Sequence, residues 1–210
     1  DRSSQGGKND EISSVLEDDF YNRSVIRIKF LKENIIRIHI VQQGEKFRES
    51  SLNRYDFIQK LDPDDLKVKI SRSKNGFSAE TSAIKLKGNK LTGEIVITDP
   101  SGKKVLLDQI SADFTDSSSI VAFKAGKEED WIGFGDQTRG RIYHRGHIAD
   151  CHVRNVKSYI PVPFFMSTAA TGVLVNTTHR VVFDMCKSDP DKYSWSDGSG
   201  SVDYYVMTGN

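Results

Sequence analysis

The sequence predicts an all-β protein, a large antiparallel β-sandwich, on three observations. Short runs alternate apolar and charged residues with a period of two, turn formers separate these runs at short intervals, and no window of about 11 residues carries an apolar stripe at helical spacing. A period of two puts every second side chain on the same face of a pleated strand. Each run is therefore a strand with one face toward a core and one toward water.

Taken along the chain, residues 1–15 read as a polar, Gly- and Ser-containing tail, and residues 16–210 as one sandwich domain. Ile26, Ile28 and Phe30 alternate with Arg27 and Lys29, and Ile36, Ile38 and Ile40 alternate with Arg37 and His39; the pairs Val68/Ile70 and Ile84/Leu86 alternate with lysines. In this reading Arg37 and His39 belong to a wet face. Turns are expected at Glu33-Asn34, Asn75-Gly76, Gly88-Asn89 and Asp99-Pro100-Ser101-Gly102, the last ahead of a strand at Val105-Leu106-Leu107. Further strands are expected over 91–98, 120–124, 163–167, 171–176, 180–184 and 202–207, giving about a dozen in all. The segments 11–19 and 52–61 are the best places for a helical turn or two, and no repeat of fixed period is evident.

Composition narrows the function classes. Lys plus Arg number 30 against 29 for Asp plus Glu, with no long run of one sign, so nothing favours nucleic acid or an anionic membrane surface as partner. A neutral ligand fits better. No stretch approaches the roughly 20 apolar residues that span a bilayer. The chain opens on Asp1 instead of Met, as a processed or trimmed end would, and its first residues are polar. Cys151 and Cys186 are too few for a disulfide scaffold and lack the spacing of a zinc ribbon or redox pair, which leaves the compartment undecided. The sequons at Asn22 and Asn176 carry meaning only in a secreted eukaryotic protein.

Near Trp131 the composition changes: residues 131–163 are rich in Gly, His, Arg and Tyr, and are expected to form a long irregular, functional segment. Several chemistries can be weighed there. His144, His147, Cys151 and His152 are zinc-ligand types, but their spacing does not bring them together and no distant second ligand pair is visible, so no metal site is assigned. Asp136 and Asp150 are carboxylates, yet glycoside hydrolysis needs two facing carboxyl groups about 5–9.5 Å apart, a pairing that sequence by itself does not show. Gly133-Phe134-Gly135 lacks the Lys-Ser/Thr of a phosphate loop, and no Gly-x-Ser-x-Gly elbow occurs. Carbohydrate recognition suits the segment best, because aromatic faces stack on sugar C–H surfaces while carboxylates, Arg and His bond the hydroxyls. Core packing is nonetheless the commoner fate of any single aromatic such as Trp131, Phe134, Tyr143 or Trp195.

The order of short motifs then becomes informative. Gly133-Phe-Gly-Asp136, a loop with Asp150, Tyr159-Ile-Pro-Val-Pro-Phe-Phe-Met-Ser167, Gly172-Val-Leu-Val-Asn176, Val182-Phe-Asp184 and Val202-Asp-Tyr-Tyr-Val-Met-Thr-Gly209 together resemble glycoside hydrolase family 31. The match is strong from Trp131 onward and rests on pattern over 25–107, where Asp99-Pro-Ser-Gly102 before Leu106-Leu107 is similar to a turn of that family. The resemblance implies a galactose-mutarotase-like sandwich preceding a (β/α)8 barrel, and a parent that hydrolyses or transfers α-linked glucosyl or xylosyl units with retention. The family's catalytic aspartates belong to the barrel, expected after Asn210, so no catalytic residue is assigned to this chain and no cofactor is implied. The expected partners are an α-linked oligosaccharide or glycoside and the barrel of the same parent. The resemblance aligns Asp150 with a sugar-binding aspartate. His147 falls where the family often has Trp, and Asp136 where it usually has Glu, so Asp150 and His147 are the expected substrate-binding residues. A freestanding carbohydrate-binding module is the alternative; continuation of the reading frame beyond Asn210 separates the two.

Overall fold

The computed structural model describes residues 9–61, 63, 66–136, 140–152 and 160–209. Among these residues the chain runs through β1 (Asn9–Ile12), β2 (Val15–Phe20), β3 (Ser24–Lys32), β4 (Ile35–Gln42), a short helix α1 (Ser51–Arg54), β5 (Lys69–Arg72), β6 (Gly76–Glu80), β7 (Lys85–Asn89), β8 (Ile95–Thr98) and β9 (Val105–Phe114). It continues through β10 (Ser119–Lys124), β11 (Trp131–Asp136), β12 (His147–Cys151), β13 (Ile160–Ser167), β14 (Thr171–Val175), β15 (Val181–Met185), β16 (Lys192–Asp197) and β17 (Val202–Thr208). These form an antiparallel ten-stranded sheet in the order β1-β5-β6-β7-β8-β9-β10-β16-β15-β12 and an antiparallel seven-stranded sheet in the order β11-β13-β14-β17-β4-β3-β2. The all-β sandwich expected from the sequence is what the chain forms.

The alternation in the sequence explains the core. Ile26, Ile28 and Phe30 of β3 and Ile36, Ile38 and Ile40 of β4 bury one face of the seven-stranded sheet, and Leu86, Ile95, Ile97, Val121 and Phe123 bury the facing side of the ten-stranded sheet. Each such side chain stabilises the fold by roughly 1.5–3 kcal/mol through apolar burial. Toward β11, β13, β15 and β16 the filling becomes aromatic. Phe123 stacks on Tyr193 and Trp195 at 4.9 and 4.7 Å between ring centroids, Phe134 lies 4.8 Å from Phe183, and Trp131 lies 4.8 Å from Tyr193. Aromatic pairs at such separations add packing energy beyond their area.

Several local expectations are corrected. The segment 11–19 holds no helical turn: Asn9–Ile12 pairs with β5, and β2 pairs with β3 in the register Leu16↔Ile28. The expected tail is therefore strand from Asn9 on, while residues 1–8 lie outside the described residues. Local propensity in this acidic stretch was weak, and pairing decided it. Gly88-Asn89 ends β7 instead of turning; the reversal follows at Lys90, where the Asn89 carboxamide oxygen accepts the Leu91 N–H at 2.9 Å. By contrast, the Asp99 turn forms as expected, its Oδ1 accepting from the N–H groups of Lys103 and Lys104 at 3.0 and 3.1 Å. The helical turn expected in 52–61 is α1, capped by Ser50.

The stretch 131–163, expected to be irregular, contains β11, β12 and the start of β13. Gly-Phe-Gly explains why β11 escaped a period-two reading. Phe134 adopts φ +68° inside a bulge between Gly133 and Gly135, which drops its ring into the core. A Cβ on Gly135 would lie 2.0 Å from the Ile160 carbonyl oxygen, so only glycine allows β13 to approach. Arg37 and His39 depart from the expected wet face as well. Both are buried, because the excursion between β4 and β5 folds back over the outer face of the seven-stranded sheet.

Candidate functional site

Asp150 and His147 lie on β12, an edge strand of the ten-stranded sheet, and not in a loop. Three positions apart on a strand, they take opposite faces. Ala149 and Cys151 are buried, so His147, two positions before Ala149, shares the inward side at its solvent end. Asp150 shares the outward side with the exposed Ile148. One sugar ring approached from a single side cannot meet both residues through strand geometry alone.

On the outer face Asp150 has a partner that the sequence did not reveal. Arg180, just before β15, donates through Nε to Asp150 Oδ1 and through Nη2 to Oδ2, both at 2.8 Å. Strands β12 and β15 pair in the register Asp150↔Val182, which puts position 180 diagonally beside 150 on the same face. The planar guanidinium and carboxylate thus meet as a fork that fixes the carboxylate orientation. The side chains are 55% exposed for Arg180 and 19% for Asp150, so the pair is at the surface.

The remaining candidates separate into core and rim. Trp131, Phe134 and Trp195 are buried, so the commoner fate of an aromatic applies to each. Tyr143 is exposed, as are Ile142, Ile148 on β12, and Ile160, Val162 and Met166 on β13. Tyr159 of the Tyr-Ile-Pro run lies outside the described residues. Asp136 ends β11 in the other sheet from Asp150. His144 packs edge-on against Phe134 at 4.7 Å. Its pKa is lowered by burial and then by the charge of Arg141; that of His147 is lowered by partial desolvation and then by Arg141 and Lys187. Burial pushes the Cys186 thiol up to about 11, away from thiolate chemistry at neutral pH. Among the described residues no three His, Cys, Asp or Glu side chains gather to hold a metal ion.

A second polar constellation, also missed from sequence, occupies the outer face of the seven-stranded sheet. Arg37 of β4 donates to both carboxylate oxygens of Asp203 on β17 at 2.8 and 2.7 Å and to Glu49 at 2.7 Å. Burial opposes the Arg37 charge, but hydrogen bonds and attraction to Asp203 win, and its pKa is raised. His39 Nδ1 lies 3.8 Å from the same carboxylate, yet burial dominates and lowers its pKa. Asn176 Nδ2 bonds Asp203 Oδ2 and Asn53 Oδ1, each at 2.7 Å, while Asn53 Nδ2 donates to the Tyr205 hydroxyl at 2.8 Å. Helix α1 is thereby fastened to the sheet. The register Tyr205↔Arg37 and Asp203↔His39 creates this cluster, and strand register is not readable from residue types alone.

Comparison with known proteins agrees with this architecture. The family model of the glycosyl hydrolase 31 N-terminal galactose mutarotase-like domain matches residues 25–184. An isomaltosyltransferase of Sporosarcina globispora is 22% identical over 208 residues, covering 88% of this chain and 18% of that protein. Alpha-glucosidase 2 of Bacillus thermoamyloliquefaciens is 24% identical over 202 residues, covering 88% of this chain and 24% of that protein. The crystal structure of a family 31 dextranase from Flavobacterium johnsoniae, complexed with glucose, superposes with a TM-score of 0.80 at 19% identity, over 100% of this chain and 27% of that one. At this identity the superposition concerns the fold. The chain spans only 18% and 24% of the length of these two curated relatives.

Proposed function

The chain belongs to the glycosyl hydrolase 31 N-terminal galactose mutarotase-like family, and on that footing we propose that it serves as the accessory domain of a retaining α-glycosidase, presenting Asp150 to a sugar subsite completed by a catalytic (β/α)8 barrel. One observation carries the reading: the matching relatives are glycosidases and transferases several times longer than this chain. The geometry supports it further. Asp150 is an outward carboxylate on an edge strand, oriented by Arg180, with the exposed Ile148 on the same face. A carboxylate held in this way accepts sugar hydroxyl hydrogen bonds without first losing rotamer freedom. The parent substrate is an α-linked glucoside or xyloside, hydrolysed or transferred.

His147 contributes differently from Asp150, since the two lie on opposite faces of β12. From the solvent end of the inward face, His147 is the second proposed substrate-binding residue, reaching a sugar from the other side of the strand than Asp150.

Kinetics on the purified chain test the reading. It should turn over no nitrophenyl α-glucoside or α-xyloside, because retaining hydrolysis needs two facing carboxyl groups about 5–5.5 Å apart. Calorimetry should find free monosaccharide bound only in roughly the millimolar range or weaker, with part of the subsite contributed by another domain. Turnover by the chain alone, or a micromolar monosaccharide complex, would replace this reading with a self-sufficient enzyme or binding module.

A further inference from the structure

The outer face of the seven-stranded sheet divides into two halves of opposite character. Under the α1 excursion the outward residues carry polar groups: Arg37, His39, Asp203 and Tyr205, all buried by that cover. On β11, β13, β14 and the end of β17 the outward residues are apolar. Strand register sets them in two adjacent rows, one running Ile132↔Met166↔Gly172↔Met207 and the next Phe164↔Leu174↔Tyr205. Their strand neighbours Trp131, Phe165, Val173 and Val206 are buried in the core, which turns these residues outward. Met166 is 45% exposed and Ile132, Phe164, Leu174 and Met207 are half-buried, while Ile160 and Val162 lead into the rows along β13 at 66% and 39%. A Cβ on Gly172 would lie 3.3 and 3.4 Å from Phe164 Cε2 and Cζ and 3.8 Å from Met207 Cβ, so the Phe164 ring reaches over bare backbone and closes the gap between the rows.

The second row crosses the boundary between the halves, since Tyr205 pairs onward with Arg37 beneath the excursion. The chain thus covers the polar half of this face with its own backbone and leaves the apolar half bare. Where a strand of this protein faces water it looks different: the outward residues of β7 are Lys85 and Lys87. A contiguous apolar surface of this kind marks a contact with another folded surface. We propose that it seats the domain that follows this one in the longer parent polypeptide, through an apolar surface of that domain. The choice of occupant rests on the accessory-domain reading above, in which the matching relatives are several times longer and the family model is that of an N-terminal domain. Met207 of the face belongs to β17, the last strand in chain order, so a polypeptide continuing past β17 sets out from this surface. Covalent attachment there holds the next domain at high effective concentration, which favours it over a second copy of the chain. The face also borders the strand that carries Asp150, the Cys151 Sγ lying 3.9 Å from the Val162 carbonyl oxygen.

The three methionines of the chain provide the test, Met166 and Met207 lying on the face and Met185 in the core. Hydrogen peroxide oxidation, mapped by peptide mass spectrometry, is followed in the chain alone and in the full-length parent. In the chain alone Met166 should oxidise well ahead of Met185. In the parent both Met166 and Met207 should oxidise no faster than Met185. Met166→Lys should leave the melting midpoint of the chain unmoved, its side chain being exposed, and in the parent should return Met207 to the rate it has in the chain alone. A Met166 that is equally reactive in both proteins overturns the proposal, as does Met207 protection that survives Met166→Lys. Protection already present in the chain alone and growing with its concentration also overturns it, and is the result expected if the face pairs two copies. Turnover of α-glucosides and α-xylosides by the same parent is measured alongside. An active parent with unprotected Met166 removes the docking surface and leaves the accessory-domain reading standing, whereas a protected Met166 in a parent that turns over neither substrate does the reverse.

Discussion

Two forked arginine–aspartate pairs occupy the two outer faces of the sandwich, and they differ in burial and in the bonds that surround the fork. Arg37–Asp203 closes at 2.8 and 2.7 Å with both side chains 6% exposed; Arg180–Asp150 closes at 2.8 Å twice with side chains 55% and 19% exposed. Identical geometry does different physical jobs. In the buried pair, removing one partner strands a desolvated charge, so the pair locks β4, β17 and the α1 excursion together. In the more exposed pair, water screens the attraction and the net contribution to stability is small, while the fork fixes the direction of the Asp150 carboxylate. Burial, together with the Glu49 and Asn176 bonds around the inner fork, separates the structural pair from the candidate binding pair.

The strongest way to break this comparison is Asp203→Ala. It should destabilise the chain by about 3–5 kcal/mol, because Arg37 stays buried with Glu49 as its remaining ion-pair partner among the described residues. The urea midpoint should fall with the slope unchanged, and Asp203→Asn should lose less. A loss under about 1 kcal/mol would put this pair in the same class as the surface one. Next in size is Asp150→Ala in an enzyme carrying this domain. A charge-assisted hydrogen bond to sugar is worth about 1.5–3 kcal/mol, so kcat/KM should fall roughly ten- to a hundredfold. The melting midpoint should barely move. A lowered midpoint with wild-type kinetics would make Asp150 a brace.

The pH dependence sharpens the buried side of the comparison. His39 faces Asp203, Arg37, Glu49, Arg27 and the Phe47 ring, and burial holds its folded-state pKa below the 6.5 of a free imidazole. The unfolded chain therefore takes up a proton that the fold resists. Its contribution to stability is present in full above 6.5 and is lost as the pH falls below that value toward the lower folded-state pKa. His144 acts with the same sign. His39→Gln should flatten the fall in melting temperature over that window, and an unchanged slope would show that His39 is not the group responsible. Arg180→Ala should produce the smallest stability effect, about 0–1 kcal/mol, read from the same urea titration.

Much of the strand pattern was legible. The Ile-rich alternations of β3 and β4, the Asp99 turn and the family motif order after Trp131 all mark real elements, because burial on one side of a sheet writes itself into the sequence with a period of two. The illegible parts share a cause. Strand β1 has little apolar content and pairs with β5, and β2 breaks its alternation with Glu17-Asp18-Asp19 while pairing with β3; β11 hides its period behind the Phe134 bulge; Arg37 and His39 look solvent-facing until the α1 excursion covers them.

For the site the division is similar. The residue types of 131–159 pointed to carbohydrate as ligand class, and the resemblance of the motif order to glycoside hydrolase family 31 implied Asp150. Which face Asp150 takes, that His147 takes the other, and that Arg180 holds the carboxylate are consequences of strand register and of the β12–β15 pairing. Local sequence specifies which side chains alternate. Only the assembled sheets, through contacts between residues as far apart as Arg37 and Asp203, decide which of the two alternating faces is covered and which meets solvent or a partner.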